Sequence, residues 1–337
     1  MKQVQATPKF YHLFSGQEIN NLVQHIQNYQ TIPFKWFYRG KIIENWQQII
    51  QKQKQAAFST LKSDARFLKE GLLWIDKQQE LTEPLTIVDI GVGNAEPVKT
   101  LVDILTKAGL LTQYIAIDIS REMLSLAETN LKNWFPDLTF LGYQGDLETQ
   151  SVLEIINPEK LAPQGQNLWI YIGGTIGNNE NRIQVLKNLQ KSLGEGEYLL
   201  LTCSLRFTDS QDQYTLKDHI SVDVAYYIAE LLDILPEDIE IEGKFDQATN
   251  TFLTNLIFKE DYQVKIESAG TLKTVHFPKG ERFNIYRYYC YEIDNNNKMQ
   301  SLIEDCQTAG LNVNSYNLDV LLSRVMLICH KNTNINI

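Results

Sequence analysis

Four groups of residues in this chain have the types and spacing of a site that binds a nucleoside and transfers a group from it. The apolar run Leu85 to Ile90 ends in Gly91-Val92-Gly93-Asn94-Ala95-Glu96, and the run Tyr114 to Ile117 ends in Asp118. A strand that ends in Gly-x-Gly before a helix marks the crossing point of a doubly wound sheet, where nucleotide-like ligands sit. Asp118 is placed to accept from both hydroxyls of a ribose. A third run leads to Asp146 and Leu147; the Asp can accept from an adenine amino group while the Leu covers the ring, and it can equally cap a helix. The fourth group, Gly173-Gly174-Thr175-Ile176-Gly177-Asn178, is the densest glycine cluster in the chain. Its backbone can pass close to a ligand, and the Asn178 amide can bond an amine or a carboxylate. A strand-to-helix loop capped by asparagine is the structural alternative.

The first loop discriminates between cofactors. A pyrophosphate on a helix N-terminus calls for Gly-x-Gly-x-x-Gly, but the third position here is Glu96, whose charge opposes a diphosphate. S-adenosyl-L-methionine has no phosphate, and its sulfonium and α-ammonium tolerate a carboxylate nearby. It is the expected cofactor. A nicotinamide enzyme remains the alternative, because a lone Gly-x-Gly is a weak signal.

The elements that must position these groups are legible as periodicities. From Leu85 strand and helix patterns alternate: strands at Thr86 to Ile90, Tyr114 to Asp118, Thr139 to Tyr143, Leu168 to Ile172 and Tyr198 to Ser204, with helices between them. Such alternation gives a parallel sheet with right-handed crossovers. Before it, Leu22, Val23 and Ile26 share a helical face after the cap Ser15, and Ile42, Ile43, Trp46, Ile49 and Ile50 form a second stripe. Between these lies Ile32 to Tyr38, an aromatic segment broken by Pro33 and expected as a packed loop. Beyond residue 205 a helix near Val222 to Leu235 precedes four runs, Ile239 to Phe245, Thr251 to Phe258, Tyr262 to Ser268 and Thr271 to Phe277. Turn residues at Gln247 to Asn250 and at Ala269-Gly270 make them antiparallel. Arg287 to Ile293 and Val320 to Cys329 are expected to return the chain to the main sheet.

The predicted fold is therefore α/β, a Rossmann-like class I methyltransferase sheet with a second α+β lobe. Residues 1–60 are the helical part of the substrate lobe, 61–204 the cofactor domain, 205–285 the inserted lobe, and 286–337 the return to the cofactor domain.

Composition narrows the partners. The 337 residues carry a net charge of -10, which argues against nucleic acid, since phosphate neutralisation needs clustered Lys and Arg. Cys203, Cys290, Cys306 and Cys329 are scattered without a Cys-x-x-Cys, so no metal site and no disulfide framework is indicated. No segment reaches the roughly 20 apolar residues of a membrane span, and residues 1–16 lack a leader pattern. A soluble cytoplasmic protein acting on a small molecule or a protein is expected; the oligomeric state is not readable.

The combination of Lys35-Trp36-Phe37-Tyr38, the Gly173 to Asn178 loop, Leu199 to Leu201 after Gly194-Glu195-Gly196, and Gly280-Glu281 resembles the histidine-specific Nα-methyltransferases of ergothioneine biosynthesis, in the same order over nearly the whole chain. The resemblance implies that Tyr38, Gly173 and Asn178 hold the ammonium and carboxylate of an amino acid, with Tyr38 orienting the amine or accepting its proton. It places Gly91, Asp118, Asp146 and Leu147 at the cofactor, and Gly93 belongs to the same loop. The family clasps the imidazole with a Glu and a Ser two positions apart, and this chain has Tyr286 and Tyr288 there; Gln53 to Phe58 stands in place of the family's Pro-Glu-Tyr-Tyr segment. A site that hydrogen-bonds a polar group discriminates by about 10⁴ to 10⁵. Strong histidine preference is therefore not expected, and Tyr286 and Tyr288, with Tyr226 and Tyr227, read as an aromatic pocket wall or as lobe packing. None of the five histidines sits in these motifs; His219, near the start of the insertion, is the one to watch, with a surface or core histidine as the alternative. The expected activity is N-methylation of an amino-acid α-amine or a related small amine; a protein or peptide N-methyltransferase and a noncatalytic binder of the cofactor are the alternatives.

Overall fold

The computed structural model describes residues 1–79, 81–163, 166–207, 219–268 and 270–332. The chain divides into two compact units, one of residues 49–210 with 290–337 and one of residues 1–48 with 211–289. The division after residue 48 falls inside the helix Lys41–Gln55.

The larger unit is built on one eight-stranded sheet: β1 (Leu85–Ile90), β2 (Leu111–Asp118), β3 (Thr139–Gln144), β4 (Asn167–Tyr171), β5 (Tyr198–Phe207), β6 (Tyr291–Ile293), β7 (Leu311–Asp319) and β8 (Arg324–Lys331). The spatial order is β7-β8-β5-β4-β1-β2-β3, with β6 beside the end of β5. β1 to β5 are mutually parallel where they pair, and β8 runs antiparallel to both β5 and β7. Every residue of β1 and of β4 is buried, as expected of central strands covered on both faces. The order reverses between β1 and β4, which places the ligand crevice at their carboxyl ends. Helix Thr60–Gln79 packs Phe67, Leu68, Leu72 and Ile75 into the core over the sheet. It comes close because Gly71 has no side chain; a Cβ there would stand 2.9 Å from Leu200 Cδ2.

The return to this sheet differs from the expectation. Arg282–Tyr289 pairs with Thr251–Phe258 in the smaller unit, and after Cys290 only Tyr291–Ile293 joins the main sheet, along Leu205 to Phe207. The run Val320 to Cys329 is half turn: β7 ends at Asp319 and β8 begins at Arg324. β7 is an edge strand whose polar residues Asn312, Asn314, Ser315 and Asn317 hide its periodicity, as edges commonly do.

The smaller unit contains two three-stranded sheets. In one, Tyr262–Ser268 lies between Thr271–Phe277, antiparallel, and Lys2–Gln5, parallel; Ala269 of the hairpin lies outside the described residues. Lys2–Gln5 was not expected as a strand, since only Val4 in it is apolar. In the other sheet Thr251–Phe258 lies between Ile239–Asp246 and Arg282–Tyr289. The core joins Phe10, Phe14, Leu22 and Ile26 to Val224, Ile228, Phe258 and Phe277. Helix Gly16–Tyr29 starts with a reciprocal cap in which Glu18 N–H donates to Ser15 Oγ at 3.4 Å and Ser15 N–H donates to Glu18 Oε2 at 2.8 Å. The aromatic segment contains one 3₁₀ turn, Phe34–Phe37, with Phe37 buried. Of the inserted lobe expected at 205–285, residues 205–207 are the end of β5, and residues 208–218 lie outside the described residues.

Candidate functional site

The site in the larger unit begins where β1 gives out. Gly91 has φ +67° and Gly93 φ +54°, left-handed values that a side chain makes costly. Gly91 N–H donates to Ile117 O at 2.7 Å, and Asn94 Oδ1 accepts from Glu96 N–H at 3.1 Å. Gly93 N–H donates to Asp118 Oδ2 at 3.2 Å, so the first two motifs are in direct contact. Asp118 Oδ1 accepts from Ser120 N–H at 2.9 Å. Each carboxylate oxygen has more than one acceptor direction, so both can still receive a ribose hydroxyl. Glu96 pairs with Lys54 at 2.7 Å; its charge is answered from within the protein, and only the missing third glycine stands against a diphosphate.

Asp146 Oδ1 accepts from Glu148 N–H at 3.0 Å in the turn after β3; it caps no helix, since the next one, Val152–Ile155, has Ser151 as its N-cap. Leu147 is buried, and its carbonyl accepts from Asn188 Nδ2 at 2.8 Å. At the end of β4, Gly173 and Gly174 have φ +82° and +78°. Gly173 N–H donates to Thr202 Oγ1 at 3.0 Å, leaving its carbonyl as the group it can offer. Asn179 Nδ2 ties the loop down through Tyr171 Oη at 2.7 Å and Thr175 O at 3.1 Å. A Cβ on Gly91 would lie 3.5 Å from Thr175 Cγ2, so the two glycine loops face each other across the strand ends. Asn178 Oδ1 is buried and has no hydrogen-bond partner among the described residues. A buried acceptor left without a donor costs about 1–3 kcal/mol, and a ligand amine would supply that donor.

One residue of this site was missed in the sequence. Asp89 lies inside β1, 1% exposed, where Tyr114 Oη donates to its Oδ2; its Oδ1 is buried without a partner. The signal was present, as a charged residue within an otherwise unbroken apolar strand. Burial pushes the Asp89 pKa up to about 7, with the neighbouring Asp118 charge adding to it, and burial pushes Asp118 up to about 6. Both carboxyls are thus easier to ionise in the unfolded chain. Their contribution to stability is full below the ordinary aspartate range and is lost as pH rises through about 6 to 7. The thermal midpoint of the ligand-free protein should therefore fall between about pH 5 and pH 8, and Asp118→Asn should flatten that slope. Differential scanning fluorimetry across this range tests it, and an unchanged slope in the variant refutes it.

The smaller unit holds the other expected residues. Tyr38 packs edge-to-face on Phe34 with centroids 5.1 Å apart, Phe34 on Tyr286 at 4.8 Å, and Tyr286 against His219 at 4.9 Å. Tyr38 and Tyr286 are therefore joined through one ring, in a half-buried aromatic row. Tyr288 Oη is buried. His219 caps helix Ile220–Leu231; its Nδ1 accepts from Ser221 N–H at 3.2 Å and lies 2.7 Å from Ser221 Oγ. Burial lowers its pKa, which favours the neutral ring. Tyr227 belongs to the core under Lys9, not to this row, and Tyr226 is exposed. The four cysteines are buried thiols.

A family model described as "Histidine-specific methyltransferase, SAM-dependent" matches residues 16–319. The histidine N-alpha-methyltransferase of Mycobacterium tuberculosis (strain CDC 1551 / Oshkosh) is 24% identical over 181 residues, 52% of this chain and 51% of that protein. That of Mycolicibacterium smegmatis (strain ATCC 700084 / mc(2)155) is 25% identical over 181 residues, with the same coverage. The chain spans about half the length of the curated relatives it matches. Among solved structures, an S-adenosylmethionine-dependent methyltransferase from Clostridium acetobutylicum ATCC 824 is 11% identical, covering 86% of this chain and 98% of that one at a TM-score of 0.47. The glycopeptide N-methyltransferase MtfA, complexed with S-adenosyl-L-methionine, is 10% identical, covering 78% and 93% at a TM-score of 0.39. Among the described residues no helix is long and apolar enough to cross a membrane.

Proposed function

Because this chain belongs to the family of histidine-specific, SAM-dependent methyltransferases, we propose that it methylates the α-amine of an amino acid or a related small amine, with histidine itself not a required acceptor. The observation that carries the reading is the meeting of Gly93 with Asp118 and of Gly91 with Thr175 at the carboxyl ends of β1, β2 and β4. The residues there fit the cofactor. Asp118 would hold the ribose hydroxyls, Asp146 the adenine amino group, and Leu147 one face of the ring. Bound S-adenosyl-L-methionine supplies an electrophilic methyl group on its sulfonium.

The protein's own task is then alignment. A deprotonated amine is already a good nucleophile, and holding it in line is worth roughly 7 to 11 kcal/mol. Asn178 Oδ1 accepts from the amine and the Gly173 carbonyl accepts beside it; Tyr38, which the family resemblance assigns to the same amine, would orient it through its hydroxyl or, as phenolate, take its proton, with water as an equally suitable acceptor given a tyrosine pKa of about 10 in free solution. With Tyr286 and Tyr288 in the places of the family's imidazole clasp, the acceptor's side chain meets rings, not a carboxylate. A cytoplasmic enzyme acting on small metabolites accords with this reading.

Two measurements test it. Calorimetry with the twenty amino acids in the presence of S-adenosylhomocysteine should show no strong preference for histidine; tight and exclusive histidine binding would mean that the clasp has been replaced by other groups. Asn178→Ala should lower kcat/KM about 10- to 100-fold, the value of a hydrogen bond to a charged group, while leaving cofactor affinity within about threefold. Equal loss of both would remove Asn178 from the acceptor's side of the site.

A further inference from the structure

The geometry points to Tyr114 as a positioning residue for the cofactor, its hydroxyl holding one oxygen of Asp89 so that the other accepts the α-ammonium of the bound S-adenosyl-L-methionine. This rests on the cofactor reading above and goes beyond it, to a residue that does not touch the ligand.

Ile87 pairs with Tyr114 and Asp89 with Ala116, so Tyr114 stands on the neighbouring strand two residues short of Asp89. Side chains two apart on a strand share a face, and the phenol reaches along that face to Asp89 Oδ2. Both residues are buried at 1% exposure or less. Among the described residues no Lys, Arg or His pairs with Asp89, and Oδ1 has no partner. Ionised, the group is a buried anion held by one neutral donor; protonated on Oδ1, it has a hydroxyl with nothing to accept it. Either state leaves Oδ1 unanswered, and an unanswered buried polar group is costly. A cationic donor satisfies it. The strand delivers Asp89 two residues before the Gly91 turn, on the edge where Asp118 awaits the ribose, so the cation that reaches it belongs to the other end of the same ligand.

The groups that act on the charge of Asp89 are Tyr114, which favours the anion, and Asp118 at the end of β2, which opposes it. Falling pH neutralises Asp89 and weakens its hold on an ammonium. Loss of the phenol makes this happen at higher pH.

The test uses the full chain and two probes that differ only at the end in question. S-adenosylhomocysteine carries the ammonium, whereas 5′-methylthioadenosine carries the nucleoside alone. Calorimetric affinities are measured for the wild type, Tyr114→Phe and Asp89→Asn between about pH 5.5 and about pH 8.5, a range that brackets a perturbed carboxyl. For Tyr114→Phe the expected result is about a tenfold or larger loss of S-adenosylhomocysteine affinity near pH 7, an upward shift of the pH at which affinity is half lost, and an unchanged affinity for methylthioadenosine. Asp89→Asn should weaken S-adenosylhomocysteine at alkaline pH and flatten its pH dependence. Equal weakening of both probes by Tyr114→Phe would show a general deformation and overturn the inference, as would an unchanged affinity and pH profile for S-adenosylhomocysteine. A wild-type protein that binds neither probe overturns the cofactor reading itself.

Discussion

Substitution of Asp118 by alanine should weaken S-adenosylhomocysteine binding by about a hundredfold or more, the largest single effect on the cofactor. Two hydroxyl donors lose a charged acceptor, and each such bond is worth about 1.5–3 kcal/mol. The same change releases Gly93 N–H, which Asp118 Oδ2 holds at 3.2 Å, and so loosens the turn that must present its backbone to the ligand. Asp118→Asn separates the two effects, because the amide keeps one oxygen for the hydroxyls. It should lose less, about 10- to 30-fold, although its single oxygen can serve only one of Gly93 N–H and Ser120 N–H. Titration calorimetry reads both variants. An affinity within about threefold of wild type for the alanine variant would show that the ribose is held elsewhere.

The second large effect concerns the buried pair Asp64–Arg324, whose side chains are each 3% exposed. Arg324 also donates to Ser204 Oγ at 3.1 Å and to Thr202 Oγ1 at 3.3 Å. Asp64→Ala strands a guanidinium in the interior, which costs about 3–5 kcal/mol. At roughly 2–4 °C per kcal/mol for a large domain, the thermal midpoint should fall by about 6 to 20 °C. Replacing both partners by apolar residues, Asp64→Leu with Arg324→Met, should recover most of the loss, because the desolvated charge goes with its partner. The effect reaches the site as well. Thr202 Oγ1 is the acceptor for Gly173 N–H, so the pair braces the loop that carries Asn178. A midpoint for Asp64→Ala within about 2 °C of wild type would mean that water has reached the guanidinium.

How much of this could be read in the sequence depends on the distance over which each feature is specified. The alternation from Leu85 to Ser204 and the residues at strand tips were legible, because a buried parallel strand is an unbroken apolar run and its loop carries obligatory glycines. Gly91, Gly93 and Asp118 converge as their spacing implies. β7 and Lys2–Gln5 were not legible, since an edge strand shows one face to water and its polar residues mask the period of two. A two-residue alternation states that a strand exists and not which neighbour it takes, so the run from Arg287 reads as a strand of the main sheet, whereas the pairing of Arg287 with Leu253 is a tertiary fact. Asp89 was absorbed into the apolar run around it. Lys54, which answers Glu96, and Arg324, which answers Asp64, lie 42 and 260 residues from their partners, and no local rule connects such positions.

The smaller unit is assembled from 1–48 and 211–289, with the whole of 49–210 between them. During synthesis the first segment leaves the ribosome bearing Phe10, Phe14, Leu22 and Ile26, side chains whose partners, Phe258 and Phe277 among them, are translated much later. At about 5–20 residues per second, those side chains stay uncovered for roughly ten seconds or more. The nascent chain must therefore be shielded by its own transient collapse or by a chaperone, and a pause in translation before residue 289 lengthens the interval in which it can be cut or can aggregate.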